Sequence, residues 1–208
     1  MSTTKRARST KILSYTFDQF AKRVKSFHGY EAIGVIVGGF MVDLAYRHLP
    51  KNGQLFDALC ETPKCLPDAI QLLTPCTTGN GWLMVINVGR FALTLYDKET
   101  GEGVRIFVDP ERIEAWPELK AWFLKLKTKK EQDVNRLLDE AKRAGSDICG
   151  VERVRVAEKI RLRQRHRGEF AICPACREAY PLADGTSCLA CQGREELYGE
   201  HERGVPVR

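Results

Sequence analysis

The sequence predicts an α+β fold, in which helices pack on an antiparallel sheet and a small treble-clef zinc finger follows at the C-terminal end. Three observations predict it. Apolar residues recur at helical spacing before residue 50, runs of β-branched and aromatic residues lie between 82 and 108, and two Cys-x-x-Cys pairs lie after residue 169. A chain of 208 residues is long enough to bury a hydrophobic core.

Basic residues are concentrated in two segments. The net charge is +6, and residues 153–167 alone hold seven Arg or Lys residues against one Glu. Four more basic residues lie within the first eleven. This distribution predicts a basic N-terminal tail at 1–12, an α+β core domain at 13–150, a basic linker at 151–168 and a zinc-finger domain at 169–208.

Two helices are predicted before residue 50. Thr16 can cap the first one, Gly29 can end it, and helical spacing is present at Phe17, Phe20, Ala21 and Val24. The second helix is predicted over about 31–48 and contains three glycines, each of which weakens a helix by about 1 kcal/mol relative to alanine. Such glycines indicate either a tight packing contact or a ligand, and they lie at Gly34, Gly38 and Gly39.

A short strand and a short helix come next, followed by the sheet. The strand is predicted over 55–60, and Pro67 suits the first turn of a helix over 67–73. Runs at 82–88, 91–96 and 104–108 predict an antiparallel meander. Because the first two runs are apolar at nearly every position, we expect helices or a second subunit to cover both faces of the sheet.

Two further helices are predicted after the sheet. Pro117 begins the first of them. Thr128-Lys-Lys-Glu131 has the form of a capping box for the second, which is predicted to end at Gly145.

The two Cys-x-x-Cys pairs have the spacing of a zinc site. Each pair can place two thiolates on one ion at about 2.3 Å, and the pairs are Cys173/Cys176 and Cys188/Cys191. A hairpin between the pairs and a helix over 192–198 would complete a treble-clef finger. Four thiolates leave no coordination position for water, so we expect one structural zinc per chain rather than hydrolytic chemistry. The alternative is two separate pairs of thiols without metal.

Three sequence blocks of the core resemble the FmdE family, which is named for the E protein of formylmethanofuran dehydrogenase. They are 27–34, 65–77, which contains Asp68-Ala-Ile-Gln71, and 89–96, and together with the segments between them they span roughly half of the chain. The resemblance implies an α+β core that dimerises and, in some members, a C-terminal treble-clef finger. The family name comes from an operon of methane metabolism and does not by itself assign a reaction to this chain.

One block departs from the family pattern. The family has His-Gly-His-x-Cys-Pro-Gly where this chain has His28-Gly29-Tyr30-Glu31-Ala32-Ile33-Gly34. The second histidine and the cysteine are thus replaced by Tyr30 and Ala32. We therefore expect a second metal ion in the core to bind weakly or not at all.

A core cleft is predicted from the residues that remain. His28 and Cys65 are predicted to lie close together on its floor, with Asp68 and Gln71 on one helix face and Cys76 beyond the end of that helix. Cys65 precedes the helix N-terminus, where the helix dipole lowers the pKa of a thiol. The alternatives are a structural role for His28 and a role as small buried hydrophobes for the core cysteines.

Three functional classes follow. We rank first a cytoplasmic accessory protein, with a homodimeric core, a ligand or metal cleft, and a zinc finger that binds a protein partner. A thiol-dependent enzyme with Cys65 as nucleophile and His28 as base ranks second, although no reaction can be named. Nucleic-acid binding through residues 153–167 ranks third. No apolar run is long enough to span a membrane, and no secretory signal is evident at the N-terminus.

Overall fold

The computed structural model of this protein describes residues 11–49, 55–162 and 168–194. The chain divides into two compact units, residues 1–161 and residues 162–208. Most of the predicted basic tail and residues 163–167 of the predicted linker lie outside the described residues. No helix in the described part of the chain is long and apolar enough to cross a membrane.

The first unit begins with a small hairpin and a capped helix. Strands β1 (Lys11–Ile12) and β2 (Tyr15–Thr16) pair antiparallel and lead into helix α1 (Phe17–His28). Thr16 caps this helix in a capping box with Gln19, and Gly29 ends it in the left-handed conformation at φ 93°. The predicted start and end of the first helix are confirmed.

Helix α2 (Ile33–His48) is the central element of the core, and α3 (Leu66–Leu73) packs across it. Its glycines exist for packing. A methyl carbon at Gly38 would lie 2.7 Å from Cβ of Ala69 in α3, and one at Gly39 would lie 2.4 Å from the ring of Phe20 in α1. Of the two predicted reasons for these glycines, the structure shows the tight packing contact.

The core sheet has five strands in the order β4-β3-β5-β6-β7. The strands are β3 (Phe56–Cys60), β4 (Leu83–Val85), β5 (Ala92–Asp97), β6 (Glu102–Val108) and β7 (Cys149–Arg155). The α+β class is confirmed, but the sheet is mixed, because β4 pairs with β3 and runs parallel to it. The predicted pairing of 82–88 with 91–96 is therefore wrong; helix α3 carries the chain from β3 across to the outer edge, where β4 enters in the same direction.

The two faces of the sheet differ in composition. One face packs against the helices and contains the apolar side chains Ala58, Cys60, Leu93, Leu95, Val104 and Ile106. The alternating residues point to the opposite face, where Thr94 lies directly across from Arg105 and Arg105 across from Glu152. On that second face lie residues of the segment that follows β7, including Val156 and Ile160. Both faces of β5 are buried, as its apolar sequence predicts.

The elements that follow the sheet's third antiparallel strand correct two predictions. Helix α4 (Pro117–Phe123) begins at the predicted proline. Thr128 and Glu131 hydrogen bond to each other, but the next helix, α5 (Val134–Ala144), begins later and is capped by Asp133. Residues 151–155 of the predicted linker form most of strand β7 and complete the sheet. A short helix, α6 (Glu158–Leu162), follows.

The second unit contains a short hairpin. Strands β8 (Phe170–Ile172) and β9 (Ala179–Pro181) pair antiparallel, and the first Cys-x-x-Cys turn connects them. The hydroxyl of Tyr180 donates a hydrogen bond to the carbonyl of Gly185 at 3.0 Å, which fixes the loop toward the second pair.

Candidate functional site

The four cysteines of the second unit converge on one point. The sulfur atoms of Cys173, Cys176, Cys188 and Cys191 all lie within 4.8 Å of one another. Four thiols at this spacing are a complete ligand set for a tetrahedral zinc ion. The predicted convergence of the two pairs is confirmed, and thiolate ligands favour zinc over hard cations such as magnesium.

Backbone hydrogen bonds shape the two turns that carry these thiols. In the first, the N–H of Cys173 donates to the carbonyl of Glu178 at 2.8 Å, and Arg177 takes a left-handed φ of 67°. In the second, the N–H of Gln192 donates to the carbonyl of Cys188 at 3.0 Å. Backbone N–H groups of Cys176 and Cys188 point at the sulfur of Cys173 and lower its pKa to about 6. The turn thus favours the thiolate form that binds metal.

The end of the finger is held by Gln192. Its side-chain amide donates to the carbonyl oxygens of Asp184, at 2.8 Å, and of Ser187. Residues 192–194 form a turn rather than the start of a helix. The rest of the predicted helix over 192–198 lies outside the described residues.

A pair of side chains marks the candidate cleft of the core. His28 Nδ1 lies 2.6 Å from Oδ2 of Asp68, and both side chains are mostly buried. His28 ends α1 and Asp68 lies in the first turn of α3, so the pair joins two helices. The ring of Tyr30, which replaces the family's second histidine, lies 5.0 Å from the ring of His28.

Cys65 lies at the N-terminus of α3 in a strained conformation. Its φ of 59° and ψ of −50° are unusual for a residue with a side chain. Burial raises the pKa of its thiol, the carboxylate of Asp68 raises it further, and Lys129 and Lys64 offset only part of this. The expected lowering of this pKa by the helix dipole is therefore wrong, because desolvation and a nearby carboxylate outweigh the dipole.

The other predicted cleft residues have structural partners. The side-chain oxygen of Gln71 accepts hydrogen bonds from the backbone N–H and the hydroxyl of Thr78, both at 3.3 Å. The thiol of Cys76 is buried and donates to the carbonyl of Phe56 at 3.6 Å. Burial raises the pKa of Cys76 to about 11. Both residues contact the loop and strand around β4 and β3.

The core residues do not form a ready metal site. Among the described residues, only the four finger cysteines form a group of three or more metal-ligating side chains with all donor atoms within 4.8 Å. His28, Cys65 and Asp68 do not meet this condition together. Sequence reasoning missed Trp122, whose ring carbon Cζ2 would lie 3.5 Å from a methyl carbon at Gly34, beside Cys65. Its place on the apolar face of α4 marked it only as a core residue.

Sequence reasoning also missed a buried ion network on the second face of the sheet. Oε1 of Glu61 lies 2.6 Å from Nε of Arg105, and its Oε2 lies 2.6 Å from Nε of Arg90. Arg105 also reaches Oε2 of Glu152 at 2.9 Å. A signal was present in the sequence, because Arg105 interrupts an otherwise apolar strand and so requires a buried acidic partner.

Comparisons with known proteins match both units. The family model described as FmdE, molybdenum formylmethanofuran dehydrogenase operon, matches residues 27–157. The model of the FmdE treble clef zinc finger matches residues 164–199. The fold and finger predicted from the resemblance are thereby confirmed.

Two relatives place the chain among known proteins. A crystal structure of an FmdE-like protein of tungsten formylmethanofuran dehydrogenase from Syntrophus aciditrophicus is 49% identical, with a TM-score of 0.80, and the match covers 91% of this chain and 99% of that one. A probable S-adenosyl-L-methionine-binding protein of Archaeoglobus fulgidus is 28% identical over 202 residues, or 88% of this chain. The chain spans 54% of that relative's length. Since one family model matches more than half of the chain and a second matches the four-cysteine module, this protein belongs to the FmdE family and carries the treble-clef zinc finger of that family.

Proposed function

We propose that this protein is a cytoplasmic accessory protein that binds a small ligand in the cleft around His28 and Asp68. Its core is a homodimer, and its zinc finger binds a protein partner. The proposal assigns no covalent chemistry to the cleft.

The environment of Cys65 carries the choice between a binding protein and a thiol-dependent enzyme. Burial and Asp68 raise the pKa of this thiol, so at neutral pH it is protonated and a poor nucleophile. His28, the candidate base, is paired with Asp68 at 2.6 Å. A nucleophilic cysteine requires the opposite arrangement, in which a neighbouring base or cation lowers the pKa of the thiol.

Alkylation of Cys65 by iodoacetamide between pH 6 and pH 10 tests this proposal. Peptide mass spectrometry separates Cys65 from the other seven cysteines. We expect little modification at pH 7 and a rate that rises only above the ordinary thiol pKa of 9.0. Rapid alkylation at pH 7, with an apparent pKa below 8, would instead support the enzyme.

S-Adenosyl-L-methionine is the first ligand to test, because the curated relative from Archaeoglobus fulgidus is named for binding it. The ligand carries a sulfonium cation, which a carboxylate attracts. Isothermal titration calorimetry with the wild type, Asp68→Asn and the surface control Asp139→Asn distinguishes the cleft from other sites. Weaker binding in Asp68→Asn alone supports the cleft, and equal binding in all three proteins places this ligand elsewhere.

Exposed apolar side chains beside the cleft support a homodimer. Phe27 and Tyr30, on either side of His28 and Gly29, are 53% and 55% exposed. Large apolar groups at this exposure favour a protein contact. Light scattering at micromolar concentration tests the assembly, with a mass of twice 23.6 kDa expected and a stable monomer contradicting it.

Nucleic-acid binding has less support, because part of the basic segment is engaged inside the core. Arg155 forms an ion pair with Glu102, and Arg161 donates hydrogen bonds to the carbonyl oxygens of Lys98 and Glu99. Residues 163–167 lie outside the described residues. We expect weak, salt-sensitive and non-specific binding to DNA at most.

A further inference from the structure

A cavity lies on the second face of the core sheet, away from the candidate cleft. Its volume is about 320 Å³, within the range of small-molecule sites. Strands β3 and β7 and the segment at 156–160 provide its apolar wall, which comprises Leu59, Val154, Val156, Ala157 and Ile160. The buried ion network of Glu61 and Arg105 provides its polar side, with Thr94 between them and the wall.

The wall of the cavity is fixed by hydrogen bonds at both ends. The N–H of Val156 donates to the carbonyl of Gly101 at 2.9 Å. The guanidinium of Arg161 donates to the carbonyl of Glu99 at 2.6 Å, so the segment is tied to the turn between β5 and β6. The cavity is therefore preformed, and a ligand need not order this segment to enter.

The charges at the cavity are unequally satisfied. Arg105 is saturated, because it binds both carboxylate oxygens of Glu61 and also Glu152. Glu61 is only 5% exposed and holds Arg90 through Nε alone. The terminal nitrogens of Arg90 have no partner within the described part of the chain, and its side chain is 64% exposed at the edge of the cavity. Glu61 thus positions an arginine whose two terminal N–H₂ groups remain available.

We propose that this cavity binds a small organic anion with an aliphatic body. The terminal nitrogens of Arg90 bind the carboxylate or phosphate of the ligand, since a guanidinium fork matches both groups. The aliphatic body lies against Ile160, Val154 and Leu59. Glu61 and Arg105 are positioning residues, which hold Arg90 in place and do not contact the ligand.

Isothermal titration calorimetry of the full chain with a set of simple probes tests the proposal. Octanoate supplies both the anion and the body, butanoate shortens the body, and 1-octanol removes the charge. We expect octanoate to bind at one site per chain, at least tenfold more tightly than either of the others. Octyl phosphate, measured beside octanoate, distinguishes a phosphate ligand from a carboxylate ligand.

Three variants locate the site. Arg90→Met keeps the aliphatic stem and should weaken octanoate binding about tenfold, because one charged hydrogen-bonding group is lost. Ala157→Phe fills the cavity and should weaken binding as much or more. Arg47→Met is the matched control: Arg47 is also exposed, at 54%, and forms an ion pair with Asp43 outside the cavity. Octanol binding as tightly as octanoate, or an octanoate affinity unchanged in either cavity variant, would overturn the proposal. Denaturation midpoints confirm that the variants are folded.

Discussion

Gly34 and Cys65 are packed so closely that a methyl carbon at Gly34 would lie 2.7 Å from Cβ of Cys65 and 2.9 Å from its sulfur. This contact between α2 and α3 allows the strained Cys65 to begin α3 beside the cleft. Gly34→Ala should therefore displace α3 and destabilise the protein by about 1–3 kcal/mol, which urea denaturation measures.

Gly79→Ala is the control for that change. The atom nearest to a methyl carbon at Gly79 is Oγ1 of Thr77, at 3.9 Å, so this substitution should be tolerated. Equal stability of the wild type and Gly34→Ala would show that the helices can separate without cost.

Asp68→Asn should make Cys65 more reactive. The carboxylate of Asp68 raises the pKa of the Cys65 thiol, second only to burial, so its neutralisation lowers that pKa and increases the thiolate fraction at pH 8. Alkylation rates measured by peptide mass spectrometry check this. Asp139→Asn, on the exposed surface of α5, should leave the rate unchanged. A slower rate in Asp68→Asn would indicate that the collapse of the His28 pair dominates.

Cys176→Ser should release the zinc ion of the finger. One ligand of four is lost, and metal binding supplies the folding free energy of such small modules. We expect zinc, measured by plasma mass spectrometry, to fall from one ion per chain to near zero. Cys65→Ser, in the core, should retain its zinc. Full zinc content in Cys176→Ser would show that these thiols do not hold the ion.

Glu61→Gln should destabilise the core in a pH-dependent way. Burial alone would raise the pKa of Glu61, but Arg105 and Arg90 outweigh it and hold this pKa below its usual 4.5. The stabilisation by the carboxylate is therefore present above pH 4.5 and is lost as the pH falls through the lower pKa of the folded protein. We expect a loss of about 2 kcal/mol at pH 7, where two guanidinium groups lose a charged partner.

Urea denaturation at pH 7, 5 and 4 checks the sign. The difference between the wild type and Glu61→Gln should narrow at the lowest pH, where both side chains approach neutrality. Glu114→Gln is the control, because Glu114 is 58% exposed and its ion pair with Lys120 is weakly stabilising at most. A difference that is constant across these pH values would mean that shape, not charge, accounts for the loss.

Local signals predicted the parts of this protein that local physics decides. The capping box at Thr16 and Gln19 and the left-handed Gly29 bound a helix without outside help, since their partners lie within four residues. The Cys-x-x-Cys spacing likewise determines each zinc turn. The same reasoning failed at Thr128 and Glu131, which form their hydrogen bonds without a following helix.

Tertiary structure alone decided the sheet order and the environment of each charged group. Residues 83–85 pair with β3 rather than with the next strand along the chain, because long-range packing selects the strand neighbour. Cys65 has the position that lowers a thiol pKa in an isolated helix, yet burial and Asp68 raise it. Composition and spacing thus determined the family, the zinc ligands and the capped helix. The pairing of His28 with Asp68 and of Glu61 with Arg105 joins residues 40 and 44 positions apart, and only the folded chain brings them together.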